Sequence, residues 1–301
     1  MKLDFVIIGG QKCGSTYLNT VIDLHPEVAM ILEECPHFES PDYENGGPEK
    51  LDTLLKSLPQ DKLIGIKRPN YLALPEVAGR LLAVNKNMKL IVILRNPLER
   101  LKSAYFHLLN YGFCPVHPLN EGIEKLLNGE LSASYPRTNE LLQFGFYGKH
   151  LQPYKELFGD NLLVLTYDNL KKDKLGVIKT CYSFLGLDDT FVPWQKLDSR
   201  PQEVNYSLLR TRLLTKKNKH RFIYNENNTR LFAKNQSNWD KFVCRSIDYI
   251  DQHLVNRLTN GGRKPAFSKA IKQRLLAIYM SDIELLERSI GHDLSKWKSA
   301  D

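Results

Sequence analysis

Cysteine is sparse and scattered: five residues, at positions 13, 35, 114, 181 and 244, odd in number and without a C-x-x-C pair. That spacing excludes a disulfide framework and a paired-thiol zinc site. The eight histidines are equally dispersed and form no ligand-spaced cluster, so no metal is expected. Long apolar stretches are missing as well, runs such as Leu90–Leu94 falling far short of the ~20 residues a bilayer span requires. The N-terminal run Phe5–Ile8 is too short for a signal-peptide core and meets Gly9-Gly10 with no cleavage site between. A cytoplasmic protein without a membrane partner is the expectation. Internal repeats and low-complexity tracts are absent too, which removes the fibrous and solenoid classes.

What is present is an ordinary globular composition over 301 residues, with 42% hydrophobic and 25% charged residues, enough to bury a large core. Forty-two Lys and Arg against 34 Asp and Glu leave a net charge of +8, a bias toward anionic ligands. Short β-branched runs at Leu3–Ile8, Val28–Leu32, Leu63–Lys67, Leu90–Leu94 and Leu162–Thr166 read as strands. Helical spacing lies between or after them at Thr16–Leu24, Pro75–Val84, Asn139–Phe158 and Lys171–Leu185, with a polar loop over Glu33–Lys50. This alternation predicts an α/β fold with a central parallel sheet flanked by helices in three layers. It ceases beyond Pro201, and a final helix is expected over Ala266–Ile290. The segment Asn205–Asn235 carries eight Lys and Arg against Glu226 alone, interleaved with aromatics, and fits either a solvated face or a lid. A single domain is expected over 1–301, with 201–265 as its lid or substrate-binding insertion.

The run Gly9-Gly10-Gln11-Lys12-Cys13-Gly14-Ser15-Thr16 joins a predicted strand to a predicted helix, where backbone N–H groups and a helix N-terminus converge on an anion. Gly9 and Gly14 have the spacing of the nucleotide triphosphatase loop G-x-x-x-x-G-K-[ST]. Ser15, however, stands where that loop has its lysine, and the lysine lies inside the loop at Lys12. Without it an ordinary ATPase or kinase is disfavoured. A second signal is the strand Leu90–Leu94, which delivers Arg95 at its carboxyl end, with Ser103 on the following helix. Arginine there suits bidentate phosphate binding.

With both motifs in view, the chain resembles the sulfotransferases that use 3′-phosphoadenosine 5′-phosphosulfate (PAPS), in their bacterial and heparan sulfate branch. KCGST at 12–16 resembles the family's 5′-phosphosulfate loop, and RNPLERLKSAY at 95–105 its 3′-phosphate motif. KRPNYL at 67–72, LVLTYDNL at 163–170 and LLERSIGHDLSKW at 285–297 are similar to three further family elements. The resemblance implies a phosphate-loop-like α/β domain and PAPS as co-substrate, leaving as 3′,5′-ADP. It implies that Lys12, Cys13, Gly14, Ser15 and Thr16 hold the 5′-phosphosulfate, and that Arg95 and Ser103 hold the 3′-phosphate. Lys67 would contact the transferred sulfate and the acceptor.

The proton-accepting residue is less direct. The cytosolic branch has a catalytic histidine two residues after its counterpart of Lys67, where this chain has Pro69. The heparan sulfate and bacterial branches have a glutamate just before a P-H-F element, and this chain reads Glu33-Glu34-Cys35-Pro36-His37-Phe38, with Cys35 in the glutamate's place. Glu34 is the first candidate base, with Glu33 and His37 behind it. His107 is expected to pack on its own helix. The acceptor is expected to be a sugar or small molecule, secondary metabolites included, bearing a hydroxyl or amine. Two rival functions are a phosphate-loop small-molecule kinase and a basic nucleic-acid-binding protein, the latter lacking an RNA-binding motif.

Overall fold

The computed structural model describes residues 1–197, 204–255, 258 and 264–299. They fall into two compact units, one of Met1–Arg100, Phe146–Pro201 and Tyr279–Lys298, the other of Leu101–Gly145, Gln202–Ile278 and Ser299–Asp301.

The first unit holds a five-stranded sheet of β1 (Phe5–Gly9), β2 (Val28–Glu34), β3 (Leu63–Lys67), β4 (Lys89–Leu94) and β5 (Leu162–Thr166), in the order β2-β3-β1-β4-β5. Every pairing is parallel. Strands buried on both faces must be apolar on both, which is why β1 and β4 read as unbroken Val, Ile and Leu runs rather than as alternation. The helices α1 (Ser15–Ile22), α2 (Gly47–Lys56) and α3 (Pro75–Val84) belong to the connections between the first four strands. Strands β2 and β3 lie to one side of β1, and β4 and β5 to the other, so the chain reverses its winding beside β1. In open sheets of this kind the crevice at the reversal, outside the carboxyl ends of the strands, is where ligands bind.

All five expected strands are present, and β2 runs two residues further than its apolar pattern, to Glu34. The helix expected over Asn139–Phe158 is instead a 3₁₀ turn at Pro136–Asn139, a short helix Glu140–Gln143 and a separate helix Tyr147–Phe158. The last of these starts afresh because Asp282, on the helix Lys269–Ile290, accepts the N–H groups of Gly148 and Lys149 at 2.9 and 2.8 Å. The helix expected over Lys171–Leu185 breaks at Asp173, whose carboxylate caps the helix Lys174–Leu185 by accepting Gly176 N–H at 2.8 Å. The polar stretch expected as a loop over Glu33–Lys50 is shorter, since β2 takes its first residues and α2 its last.

Gly65 on β3 lies opposite Phe5 on β1, and a methyl group on it would sit 2.3 Å from the buried Phe5 ring. Gly65→Ala is therefore expected to cost about 1–3 kcal/mol, the usual cost of overpacking, seen as a lower urea midpoint at unchanged slope.

Helix α4 (Pro97–Tyr111) begins in the first unit and continues into the second. The second unit also contains α5 (Leu119–Leu127), the helix Leu208–Arg221, an antiparallel hairpin of β6 (Phe222–Tyr224) and β7 (Leu231–Ala233), and the helix Asn238–Ile250. Of the expected lid segment 201–265, residues 204–255, 258, 264 and 265 belong to this unit, while 201–203, 256–257 and 259–263 lie outside the described residues.

Candidate active site

Each strand of the first unit's sheet ends in residues that can bind an anion or carry a proton. After β1 comes the loop Gly10–Gly14. It is anchored by Gly10 N–H donating to Ile93 O at 2.7 Å and Cys13 N–H donating to Gly10 O at 3.2 Å. Lys12 and Gly14 both adopt left-handed backbone conformations, with φ of 64° and 102°. Glycine suits the second; at the first a lysine is strained, the kind of backbone that persists where the surroundings over-determine it.

Gly14 precedes α1, which has no side-chain cap and no acidic residue in its first turn. Its first internal hydrogen bond runs from Leu18 N–H to Gly14 O, so the N–H groups of Ser15 and Thr16, in its first turn, precede the helix's own bonding. An open positive dipole end therefore faces the crevice. Cys13 turns inward, its thiol 3.5 Å from the buried Tyr147 hydroxyl, and burial pushes its pKa up. With its N–H bonded to Gly10 O and its thiol turned inward, it offers neither group to an anion.

From β3 come Lys67 and Arg68. Lys67 is almost wholly buried and donates to Glu34 Oε1 at 3.0 Å and to Thr16 Oγ1 at 3.3 Å. Arg68 donates to Glu34 Oε2 at 2.7 Å and grips Glu39 through two bonds of 2.5 and 2.8 Å. Glu34 owes its position to an irregularity in β2: the register with β3 shifts between Met30 and Glu34, and the shift sets Glu34 opposite Lys67. Cys35 then points the other way, buried, with its carbonyl held by the Tyr71 hydroxyl and its thiol pushed to about 12 by burial. The Tyr71 hydroxyl also accepts Phe38 N–H at 3.2 Å, which ties down the turn after β2.

Burial alone would raise the pKa of Glu34, but the Lys67 and Arg68 cations outweigh it and hold the carboxyl below its ordinary range. Glu34 is therefore ionised at neutral pH while 45% of its side chain stays exposed. As the pKa is depressed, the ion pairs contribute to stability above the ordinary carboxylate value and lose that contribution as pH falls through the depressed one. The pKa of Lys12 is lowered as well, here by burial first of all; Glu34 opposes the shift, and Arg95 and Lys67 add to it.

Arg95 follows β4. It donates to Lys12 O at 3.4 Å and lies over the Tyr167 ring, which follows β5, at 4.9 Å. The Tyr167 turn is itself fixed, since Trp297 Nε1 donates to Asp168 at 3.0 Å. That bond gives the C-terminal LLERSIGHDLSKW element a structural purpose.

Lys12, Gly14, Ser15, Thr16, Glu34, Lys67 and Arg95 are thus all at or beside the carboxyl edge of one sheet. Glu33 is exposed on the last residues of β2. His37 faces Asp42 and Lys50, and burial lowers its pKa. Ser103 lies on α4 within the second unit and is buried; His107, on the same helix, packs against Tyr111 with ring centroids 4.8 Å apart. Sequence reasoning missed Glu39, Tyr167 and the clamp role of Arg68. Arg68 had a signal in its place beside Lys67 at a strand end, and Tyr167 in the LVLTYDNL element that contains it.

The sequence model of the sulfotransferase domain matches residues 2–260. The chain belongs to the sulfotransferase domain family. Mouse heparan sulfate glucosamine 3-O-sulfotransferase 3A1 is 30% identical over 184 residues, 60% of this chain and 45% of that protein. The bifunctional heparan sulfate N-deacetylase/N-sulfotransferase 1 of Caenorhabditis briggsae is 28% identical over 196 residues, 62% of this chain and 23% of its own length. This sulfotransferase-family chain thus spans less than half the length of these curated relatives. The crystal structure of a sulfotransferase from Alicyclobacillus acidocaldarius shares the fold, with a TM-score of 0.68 at 19% identity over 99% of this chain and 100% of that one. Membership of this family leaves the kinase and nucleic-acid-binding alternatives unsupported.

Proposed function

We propose that this protein is a PAPS-dependent sulfotransferase that moves a sulfuryl group in line to a hydroxyl or amine of a sugar or small-molecule acceptor. The observation that carries the proposal is the convergence, on one crevice, of the open N-terminus of α1, the cations Lys12, Lys67 and Arg95, and an exposed carboxylate, Glu34, gripped by Lys67 and Arg68. A polyanionic donor needs the first two features, and an acceptor that must lose a proton needs the third.

The residues fit the donor. The N–H groups of Ser15 and Thr16 and the Lys12 ammonium would hold its 5′-phosphosulfate. Arg95, lying over Tyr167, would take the 3′-phosphate, with Ser103 assigned to that phosphate from its motif. In the transfer, Glu34 accepts the acceptor's proton as the acceptor–sulfur bond forms and the sulfur–oxygen bond to the phosphate breaks. Lys12 stabilises the electron pair left on the departing phosphate oxygen. Lys67, bonded to both Glu34 and Thr16, lies between the base and the phosphate loop and would steady the sulfuryl oxygens.

Donor recognition is tested by comparing 3′,5′-ADP with 5′-AMP. At 100 times its dissociation constant, 3′,5′-ADP is expected to add about 2.7 kcal/mol of stability, and 5′-AMP at the same concentration much less, because Arg95 has no 3′-phosphate to bind. Equal shifts in unfolding temperature would refute the assignment. Labelled PAPS offered with a panel of sugar and small-molecule acceptors then identifies the acceptor.

A further inference from the structure

Between Leu208 and Asp251 the second unit carries ten Lys and Arg against four Asp and Glu, a net +6 out of the chain's +8. Three of the four acids are spent inside the unit. Asp251 binds Arg210 at 2.8 Å, Asp248 binds Lys217, and Asp240 binds His220 and Lys234 at 2.9 and 3.1 Å while closing a capping box with Ser237. What faces solvent is therefore basic, Lys241 and Arg245 among it.

The helix Asn238–Ile250 buries Asp240, Cys244 and Ile247 on one face. On the opposite face Trp239, Phe242, Tyr249 and Ile250 are 66%, 60%, 65% and 40% exposed. At helical spacing these four fall within an arc of about 100°, and Lys241 and Arg245 lie along one flank of it. Trp239 and Phe242 stack on each other, ring centroids 5.7 Å apart, which presents them as one apolar plate.

We propose that this face docks peripherally on an anionic lipid surface. Bulky aromatic side chains exposed along a helix, with a basic flank, are the pattern of a helix lying in the headgroup layer, where aromatic rings are partly dehydrated and lysine and arginine meet lipid phosphates. Charge argues against the other occupants. A second copy meeting this one across a two-fold axis would set the basic flank against itself. A nucleic acid would use the charge and the rings, but it offers nothing to Ile250. No helix among the described residues is long and apolar enough to cross a membrane, and docking of this kind requires none.

The test is co-sedimentation with phosphatidylcholine vesicles, with and without phosphatidylglycerol, alongside a single-stranded oligonucleotide and a sizing column. The protein is expected to bind the anionic vesicles at least tenfold better than the neutral ones. Trp239→Ser with Phe242→Ser should weaken vesicle binding by about tenfold or more. Lys241→Gln with Arg245→Gln should weaken it by about fivefold per residue. All four positions are exposed, so unchanged circular dichroism melting is expected, and 3′,5′-ADP binding should be retained. In a Trp194→Phe background, with Trp297 buried, a blue shift in emission on adding anionic vesicles would report Trp239 entering the lipid. Undiminished vesicle binding by the aromatic variant would overturn the proposal. So would tighter binding to the oligonucleotide than to vesicles, or a dimer that the aromatic variant abolishes.

Discussion

Glu34→Gln is expected to lower turnover by about 10² to 10⁴, the contribution of general-base assistance, while leaving donor binding intact. The carboxylate is held between Lys67 at 3.0 Å and Arg68 at 2.7 Å, so it sits in its proton-accepting form through the neutral range. Removing its charge leaves both cations in place, and Arg68 remains gripped by Glu39. Affinity for 3′,5′-ADP should consequently stay level or rise, which separates loss of a base from collapse of the site. The pH profile makes a second distinction. With Glu34 as base, activity should hold on the acid side until pH falls below the ordinary carboxylate range, because the folded pKa is depressed. With His37 as base, the acid limb would lie nearer the histidine range, lowered by that residue's burial. Glu33→Gln should change little, since Glu33 lies in the irregular stretch between Met30 and Glu34 and outside the clamp. Wild-type turnover in Glu34→Gln, with loss of activity and of the acid limb in His37→Ala, would transfer the role to His37.

Lys12→Ala should lower turnover by about 10² to 10³, as expected for one preorganised charge aimed at a leaving group. Because Lys12 has φ of 64°, alanine there also disturbs the backbone, and Lys12→Asn is the paired control, since asparagine tolerates the left-handed region. Equal losses in the two variants would assign the effect to the charge; a normal rate in Lys12→Asn would assign it to the loop. Burial lowers the pKa of Lys12, so donor binding by the free enzyme should weaken on the alkaline side before the ordinary lysine range is reached. Activity should also survive EDTA, because the loop lysine supplies the charge that magnesium provides in nucleotide triphosphatases. A metal requirement would contradict this mechanism.

The parallel sheet was legible because its strands are buried on both faces: continuous runs such as Leu90–Leu94 have few alternatives in a chain with turn signals on either side. The phosphate loop was legible for a similarly local reason, as strand, glycines and helix follow one another within a dozen residues. The break at Asn139–Phe158 was not, because the groups that start the new helix come from Asp282, more than a hundred residues away. The second unit's hairpin and helices were hidden because the acids that pair its helices, Asp240, Asp248 and Asp251, lie beyond the basic segment Asn205–Asn235, and nothing local joins them to Arg210, Lys217 and His220.

By itself, then, the sequence determined which strand ends carry charge: Lys12, Lys67 and Arg95 each follow an apolar run that could only be a buried strand. What only the tertiary structure decided is which carboxylate meets them. Glu33, Glu34 and His37 are near neighbours in the chain, and local pattern cannot rank them, because the direction of each side chain depends on how β2 registers against β3. The shift between Met30 and Glu34 turns Glu34 toward Lys67 and Cys35 into the core. Between the pairings Met30–Gly65 and Glu34–Lys67, β2 advances four residues and β3 only two, so this irregularity decides that Glu34, rather than Leu32, stands opposite Lys67.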